Sequence, residues 1–207
     1  MINFKKTKFL LSAPNIFTLP ADIGTEVAFC GRSNAGKSSA LNCLTAQKKL
    51  AFTSKTPGRT QLINVFCIEE DKKLIDLPGY GYAKVPLKLK LECQKSLTEY
   101  LEKRMALKGL VVLMDIRHPL KEMDINLIVW GIQAHLPILV LLTKSDKLKQ
   151  QEKNKIYHSV VESLAQYGGD VQVLLFSSTK GFGRQKALAV LTDWLRNDEH
   201  NDNENHL

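Results

Sequence analysis

The sequence predicts an α/β domain: a mostly parallel six-stranded sheet, helices on both faces and one antiparallel edge strand. Three observations carry this. Short apolar runs of five to eight residues alternate with longer amphipathic ones, the pattern of strands connected by helices. Two runs, "GLVVLMD" (109–115) and "PILVLLT" (137–143), are almost wholly apolar, as expected of strands covered on both faces. And "LINVFCIE" (62–69) is separated from "KKLIDL" (72–77) by only two residues, a tight acidic turn that pairs them as neighbours.

In chain order, "EVAFC" (26–30) is the first buried strand, followed by a Gly-bounded loop and a helix from about Lys37. The hairpin 62–77 supplies two strands. Residues 87–106 fit a helix, with Leu87, Leu91, Leu97, Leu101 and Met105 at near-helical spacing. The two apolar strands follow, then "VQVLLF" (171–176), with helices near 121–134, 151–166 and 184–196. Residues 1–21 read as an N-terminal extension, 22–196 as a single domain and 197–207 as a polar, disordered tail.

The 207 residues suit one well-buried domain. The tail holds four of the 21 acidic residues and none of the 29 basic ones, so residues 1–196 carry a formal +12. A body that basic suggests a polyanionic partner, either nucleic acid or an acidic surface. Cys30, Cys43, Cys67 and Cys93 form no metal-type pair and no disulfide frame. The apolar stretch near the N-terminus is too short for a signal peptide, and no run approaches the ~20 apolar residues that span a bilayer. The expectation is a cytoplasmic monomer with reduced thiols and no stable membrane insertion.

The chemical motifs fall at strand ends, where ligands bind in such sheets. "GRSNAGKSS" (31–39) matches G-x-x-x-x-G-K-S/T directly after the first strand. Gly31 and Gly36 permit the turn. The backbone of Arg32, Ser33, Asn34 and Ala35 then aims N–H groups at a phosphate beside a helix N-terminus. Lys37 reaches the β- and γ-phosphates, and Ser38 gives its hydroxyl to Mg²⁺. "DLPG" (76–79) ends the third strand: Asp76 holds Mg²⁺ through water, and Gly79 offers its N–H to the γ-phosphate, with Leu77 and Pro78 between them. "TPGRTQ" (56–61) precedes the second strand. There Thr60 completes the Mg²⁺ shell, and Gly58, Arg59, Gln61 and Leu62 join the nucleotide pocket. Lys37, Thr60 and Gly79 are the candidate catalytic groups.

"TKSD" (143–146) selects the base. A carboxylate at Asp146 accepts from guanine N1–H and from its exocyclic amine. Adenine has an acceptor at N1 and lacks that amine, so a site built on these bonds rejects it. The stem of Lys144 lies along the base, and Thr143 stands where N-K-x-D has asparagine, with Ser145 completing the loop. "FSS" (176–178) follows the last strand. Backbone from Phe176 to Ser178 approaches guanine O6, and Ser177 orients Asp146.

With "GRSNAGKSSALN", "TPGRTQLINVF", "DLPGYGYAKV", "DIRHP", "TKSDKL" and "FSS" in this order, the chain resembles the EngB/YihA/YsxC family of bacterial GTPases, of the Ras-like class that also holds TrmE, Era and the septins. The resemblance runs from about residue 22 to 196. It implies a Ras-like phosphate-loop GTPase fold, GTP binding and hydrolysis with Mg²⁺, a role in large ribosomal subunit assembly, and a link to cell division and septation.

Phosphoryl transfer needs positioning and charge more than covalent help. Tyr80 stands where many such enzymes carry a water-holding glutamine, and its ring has no carboxamide. Slow intrinsic hydrolysis follows, aided by a partner's catalytic group or by a monovalent cation such as K⁺ with Asn34 as an oxygen ligand. His118 reads as a loop residue. Tyr80 and Tyr82 interleaved with Lys84, Lys88 and Lys90 suit ribosomal RNA, bound through phosphates and stacked bases. The alternative is a signalling GTPase that binds a division or membrane-associated protein without touching RNA.

Overall fold

A computed structural model describes residues 2–51, 62–81 and 87–196. Its strands are β1 (Lys8–Ala13), β2 (Thr25–Gly31), β3 (Ile63–Glu69), β4 (Lys72–Asp76), β5 (Leu107–Asp115), β6 (Ile138–Thr143) and β7 (Val171–Leu175). Its helices are α1 (Lys37–Thr45), α2 (Leu87–Lys103), α3 (Glu122–Gln133), α4 (Gln150–Ala165) and α5 (Arg184–Trp194). One sheet runs in the order β1-β3-β4-β2-β5-β6-β7. β2 pairs in parallel with β4 and β5, β5 with β6, and β6 with β7; β3 is antiparallel to both β4 and β1.

Among the described residues the sheet therefore has seven strands, not the expected six. The additional one, β1, comes from the N-terminal segment and lies outside β3, so residues 8–13 belong to the sheet. Its sequence hides it: Lys8, Phe9 and Leu10 are all exposed, and the register shifts between Phe9 and Leu11, which removes the period-two signal. Phe9 still packs edge-on against buried Phe66, 5.9 Å between ring centres. Upstream, Phe4 is buried and Gln47 of the loop after α1 donates to the Thr7 carbonyl at 2.7 Å.

Alternation along the strands sorts the core into two layers. Val27 and Phe29 of β2 face α1 and α5, beside Leu41, Leu44 and Leu191. Ala28 and Cys30 face the other side, with Tyr100 of α2, Ile128 of α3 and Val160 of α4. Among the described residues, the buried part of α2 lies in its second half. Leu97 and Leu101 are buried, while Leu87 and Leu91 are exposed, so only part of the apolar stripe reaches the core; the helix ends at Lys103, short of the expected 106, and exposed Met105 lies in the turn beyond it. The anchor is polar: Tyr100 donates to fully buried Glu26 at 2.7 Å, and Arg104 grips the same carboxylate through Nε at 3.0 Å and Nη2 at 2.7 Å. Parallel pairing brings the carboxyl ends of β2, β4, β5, β6 and β7 to one edge, and the motifs stand there.

Candidate nucleotide site

β2 is buried along its whole length and delivers Gly31 to the sheet edge. A Cβ at Gly31 would stand 3.0 Å from the Leu113 carbonyl, so the loop's first residue passes the β5 backbone too closely for a side chain. Asn34 (φ 65°) and Gly36 (φ 90°) then take left-handed conformations that reverse the chain into α1. Among the described residues no side chain caps α1, which leaves its first N–H groups directed at an incoming anion. Ser38 stands half-buried in the first turn.

Lys37 and Asp76 meet directly, amine to carboxylate Oδ1, and both are buried. A cation and an anion therefore face one spot where a terminal phosphate needs the first and a hard divalent ion needs the second. Asn64 on β3 donates to the other Asp76 oxygen at 3.4 Å; nothing in its local sequence marks it. The oxygen donors Ser38 and Asp76 fit Mg²⁺, which prefers hydroxyl, carboxylate, water and phosphate oxygens. Gly58, Arg59, Thr60 and Gln61 lie outside the described residues, as do Tyr82 and Lys84. Leu62 is exposed at the start of the hairpin.

Residues 77–81 are stitched to the phosphate loop. Leu77 N–H donates to the Phe29 carbonyl at 3.1 Å, Tyr80 N–H to Gly31 at 3.3 Å, and Ser33 N–H to the Tyr80 carbonyl at 2.8 Å. The Tyr80 side chain turns inward to α3. It is 6% exposed, and its hydroxyl donates to Asp124 Oδ1 at 2.7 Å. Asp124 also accepts from the Lys121 N–H at 3.1 Å in the capping box of α3. Burial and the neighbouring carboxylate push the Tyr80 hydroxyl well above its ordinary pKa; burial likewise raises Asp124, against the opposing Tyr80 bond. Tyr80 is thus a strut between residues 77–81 and α3. Arg32 packs across Gly81: a Cβ there would lie 2.8 Å from its Nε.

The base end is assembled from β6 and β7. The Thr143 hydroxyl is within hydrogen-bond range of two carbonyls, Ala35 at 2.5 Å and Met114 at 3.1 Å. The hydroxyl thus ties the base motif to the phosphate loop where the usual motif has an amide. Lys144, itself left-handed (φ 59°), donates to the Asn34 carbonyl at 2.8 Å and pairs with Asp115 at 3.0 Å. Burial alone would raise the Asp115 pKa. Hydrogen bonds from the Arg117 guanidinium and N–H and from Lys144 outweigh it, holding the carboxyl well below the usual range. Ser177 donates to Asp146 Oδ1 at 2.6 Å, as the sequence suggested; this bond is the main cause of the lowered Asp146 pKa. Ser145 N–H donates to the Phe176 carbonyl at 3.1 Å, locking the two base loops together. His118 is exposed beside a cavity of about 240 Å³ between the phosphate loop and the β5–α3 connection.

Comparison with known proteins agrees with this geometry. Residues 26–144 match the family described as "50S ribosome-binding GTPase". A probable GTP-binding protein EngB of Shewanella frigidimarina is 58% identical over 197 residues, covering 93% of this chain and 88% of that protein. The chain belongs to the EngB family of GTPases. The corresponding protein of Shewanella denitrificans is 57% identical over 198 residues, covering 94% and 90%. Among solved structures, a probable GTP-binding protein engB superposes with a TM-score of 0.67 at 19% identity, over 83% of this chain and 99% of that one. NFeoB from S. thermophilus, bound to GDP·AlF4⁻ and K⁺, gives 0.61 at 22% identity, over 81% and 61%. At those identities the superpositions speak to the fold.

Proposed function

We propose that this chain binds GTP with Mg²⁺, hydrolyses it slowly, and uses its two nucleotide states to gate docking on the large ribosomal subunit during assembly, with cell division and septation depending on that step. The observation that carries the switch is the stitching of residues 77–81 to the phosphate loop. The chain that senses the γ-phosphate runs within a few residues into α2, whose first half is exposed. Lys37 neutralises charge on the β- and γ-phosphate oxygens, and the Gly79 N–H reports whether the γ-phosphate is present. Ser38 and Thr60 would hold Mg²⁺ directly and Asp76 through water; the ion, when bound, neutralises the same phosphate oxygens. No water-positioning group comes from buried Tyr80, so turnover is slow until a partner or a monovalent cation supplies the missing charge. Asn34 is the oxygen donor suited to K⁺, the ion bound in the NFeoB structure.

RNA as partner is supported by the +12 body and by a lysine over an exposed ring. Lys153 Nζ lies 5.6 Å from the centre of the Phe182 ring, itself 53% exposed, a pairing suited to stacked bases and phosphates. Phe182 also accepts from Ser177 N–H at 3.0 Å, next to the base-selecting Asp146. Exposed Leu87 and Leu91 on α2 favour the second reading, a protein partner with no RNA contact. A cytoplasmic location accords with the described residues, none of whose helices is long and apolar enough to cross a membrane.

The test is co-sedimentation with purified large ribosomal subunits. Pelleting with a non-hydrolysable GTP analogue, weak pelleting with GDP and a steep loss with salt are expected. Equal or absent pelleting in both states contradicts a GTP-gated ribosomal role.

A further inference from the structure

β1, β3 and β4 lie side by side, and one residue from each falls in line across them. Ser12 is in register with Asn64, and Asn64 with Asp76. Residues opposite one another share a sheet face, and these three are joined by hydrogen bonds. The Ser12 hydroxyl donates to Asn64 Oδ1 at 2.5 Å. Asn64 Nδ2 donates to Asp76 Oδ2 at 3.4 Å, while Lys37 holds Asp76 Oδ1.

The chemistry gives this line a direction. An ionised carboxylate only accepts, so Asp76 demands the N–H₂ end of the Asn64 amide. That turns the amide oxygen outward, where Ser12 supplies the donor that completes it. Asp76 is 2% exposed, and a buried carboxylate that must present an oxygen to a hydrated cation needs its rotation fixed. Lys37 alone cannot fix it, because that amine is also the partner of the phosphates.

We propose that Asn64 is a positioning residue for the divalent cation bound with the nucleotide, and that Ser12, in the N-terminal strand, acts through it. The inference rests on the GTP–Mg²⁺ reading above and extends it: the N-terminal edge strand β1 takes part in holding the metal. Partners that orient a metal-site group typically contribute 10- to 100-fold in metal affinity. The 3.4 Å Asn64 bond is long, which places the effect at about 10-fold.

The test follows release of a fluorescent GDP from the full chain across a Mg²⁺ titration. Asn64→Ala raises the Mg²⁺ half-saturation about 10-fold and leaves release in EDTA unchanged. Ser12→Ala moves it the same way by less, and Ser12→Thr, which keeps the hydroxyl, restores the wild-type value. A purely architectural contact would instead speed release with and without Mg²⁺ alike. Wild-type Mg²⁺ dependence in Asn64→Ala, or equal acceleration in EDTA, overturns the proposal. Should Asn64→Ala fail to fold, Ser12→Ala decides alone, since Ser12 is exposed at the edge: an unchanged Mg²⁺ dependence overturns it. Wild-type protein that retains GDP without regard to Mg²⁺ overturns the metal reading itself, a distinct failure.

Discussion

Replacing Asp146 with asparagine tests the base site with almost no change in shape. Ser177 occupies one lone pair of Oδ1 at 2.6 Å, which leaves Oδ2 and part of Oδ1 for guanine's two donors. Asparagine can still accept from Ser177 and from guanine N1–H through its oxygen, without the charge, but its N–H₂ then faces the exocyclic amine, donor against donor. Hydrogen bonds to a charged group contribute about 1.5–3 kcal/mol each. Asp146 is only half-buried, so the lower figure applies, and one lost bond together with one stripped of its charge amounts to about 2–3 kcal/mol, or roughly 30- to 100-fold in affinity. Xanthosine diphosphate, with a carbonyl in place of the amine, should bind Asp146→Asn better than GDP does. The assay is competition against a fluorescent guanine nucleotide, with a melting curve to show that the fold is intact. GDP affinity unchanged by the substitution, in a folded protein, would refute the assignment.

Tyr80→Phe should leave the rate of phosphate release close to wild type, because the hydroxyl serves Asp124 and not a water; the removed bond should cost about 1–3 kcal/mol in urea denaturation. A large fall in rate at unchanged stability would show that the tyrosine acts in the chemistry. Arg104→Ala leaves Glu26 charged and fully buried, and should destabilise by about 3–5 kcal/mol with little effect on nucleotide affinity measured on the folded protein. The Asp115 carboxyl is held below the ordinary carboxylate pKa of about 3.9. A depressed folded pKa gives stability that is present above that value and is lost as pH falls through the folded one. The melting-temperature gap between wild type and Asp115→Asn should therefore be constant near neutral pH and shrink below about pH 4; a gap that widens in acid contradicts the pairing. Exchanging K⁺ for Na⁺ should slow phosphate release if Asn34 contributes to a cation site, and an indifferent rate removes that ion.

Features that a short window encodes were legible in the sequence. Buried β5 and β6 announce themselves as apolar runs, and the phosphate loop needs its glycines and lysine at fixed spacing whatever surrounds them. Asp146 and Ser177 could be paired because each follows a strand end. Tertiary partners were not legible. Asn64 and Asp124 look like ordinary strand and helix residues until β3 meets β4 and α3 meets residues 77–81. Tyr80 was recognisable as a departure from a water-positioning residue, but not as a strut, because its partner lies 44 residues away. β1 escaped because an edge strand buries little and its bulge breaks the alternation. The leucine stripe of α2 correctly marked a helix and overstated its burial, since the buried anchor of Glu26, Tyr100 and Arg104 sits at its second half.

The most direct measurement is phosphate release by the purified chain with GTP and with ATP, in Mg²⁺ and in EDTA. The account predicts turnover of GTP alone, dependent on Mg²⁺, on the order of 10⁻² s⁻¹ or slower, and abolished by Lys37→Ala. Equal turnover of ATP, or hydrolysis that survives loss of Lys37, would contradict it.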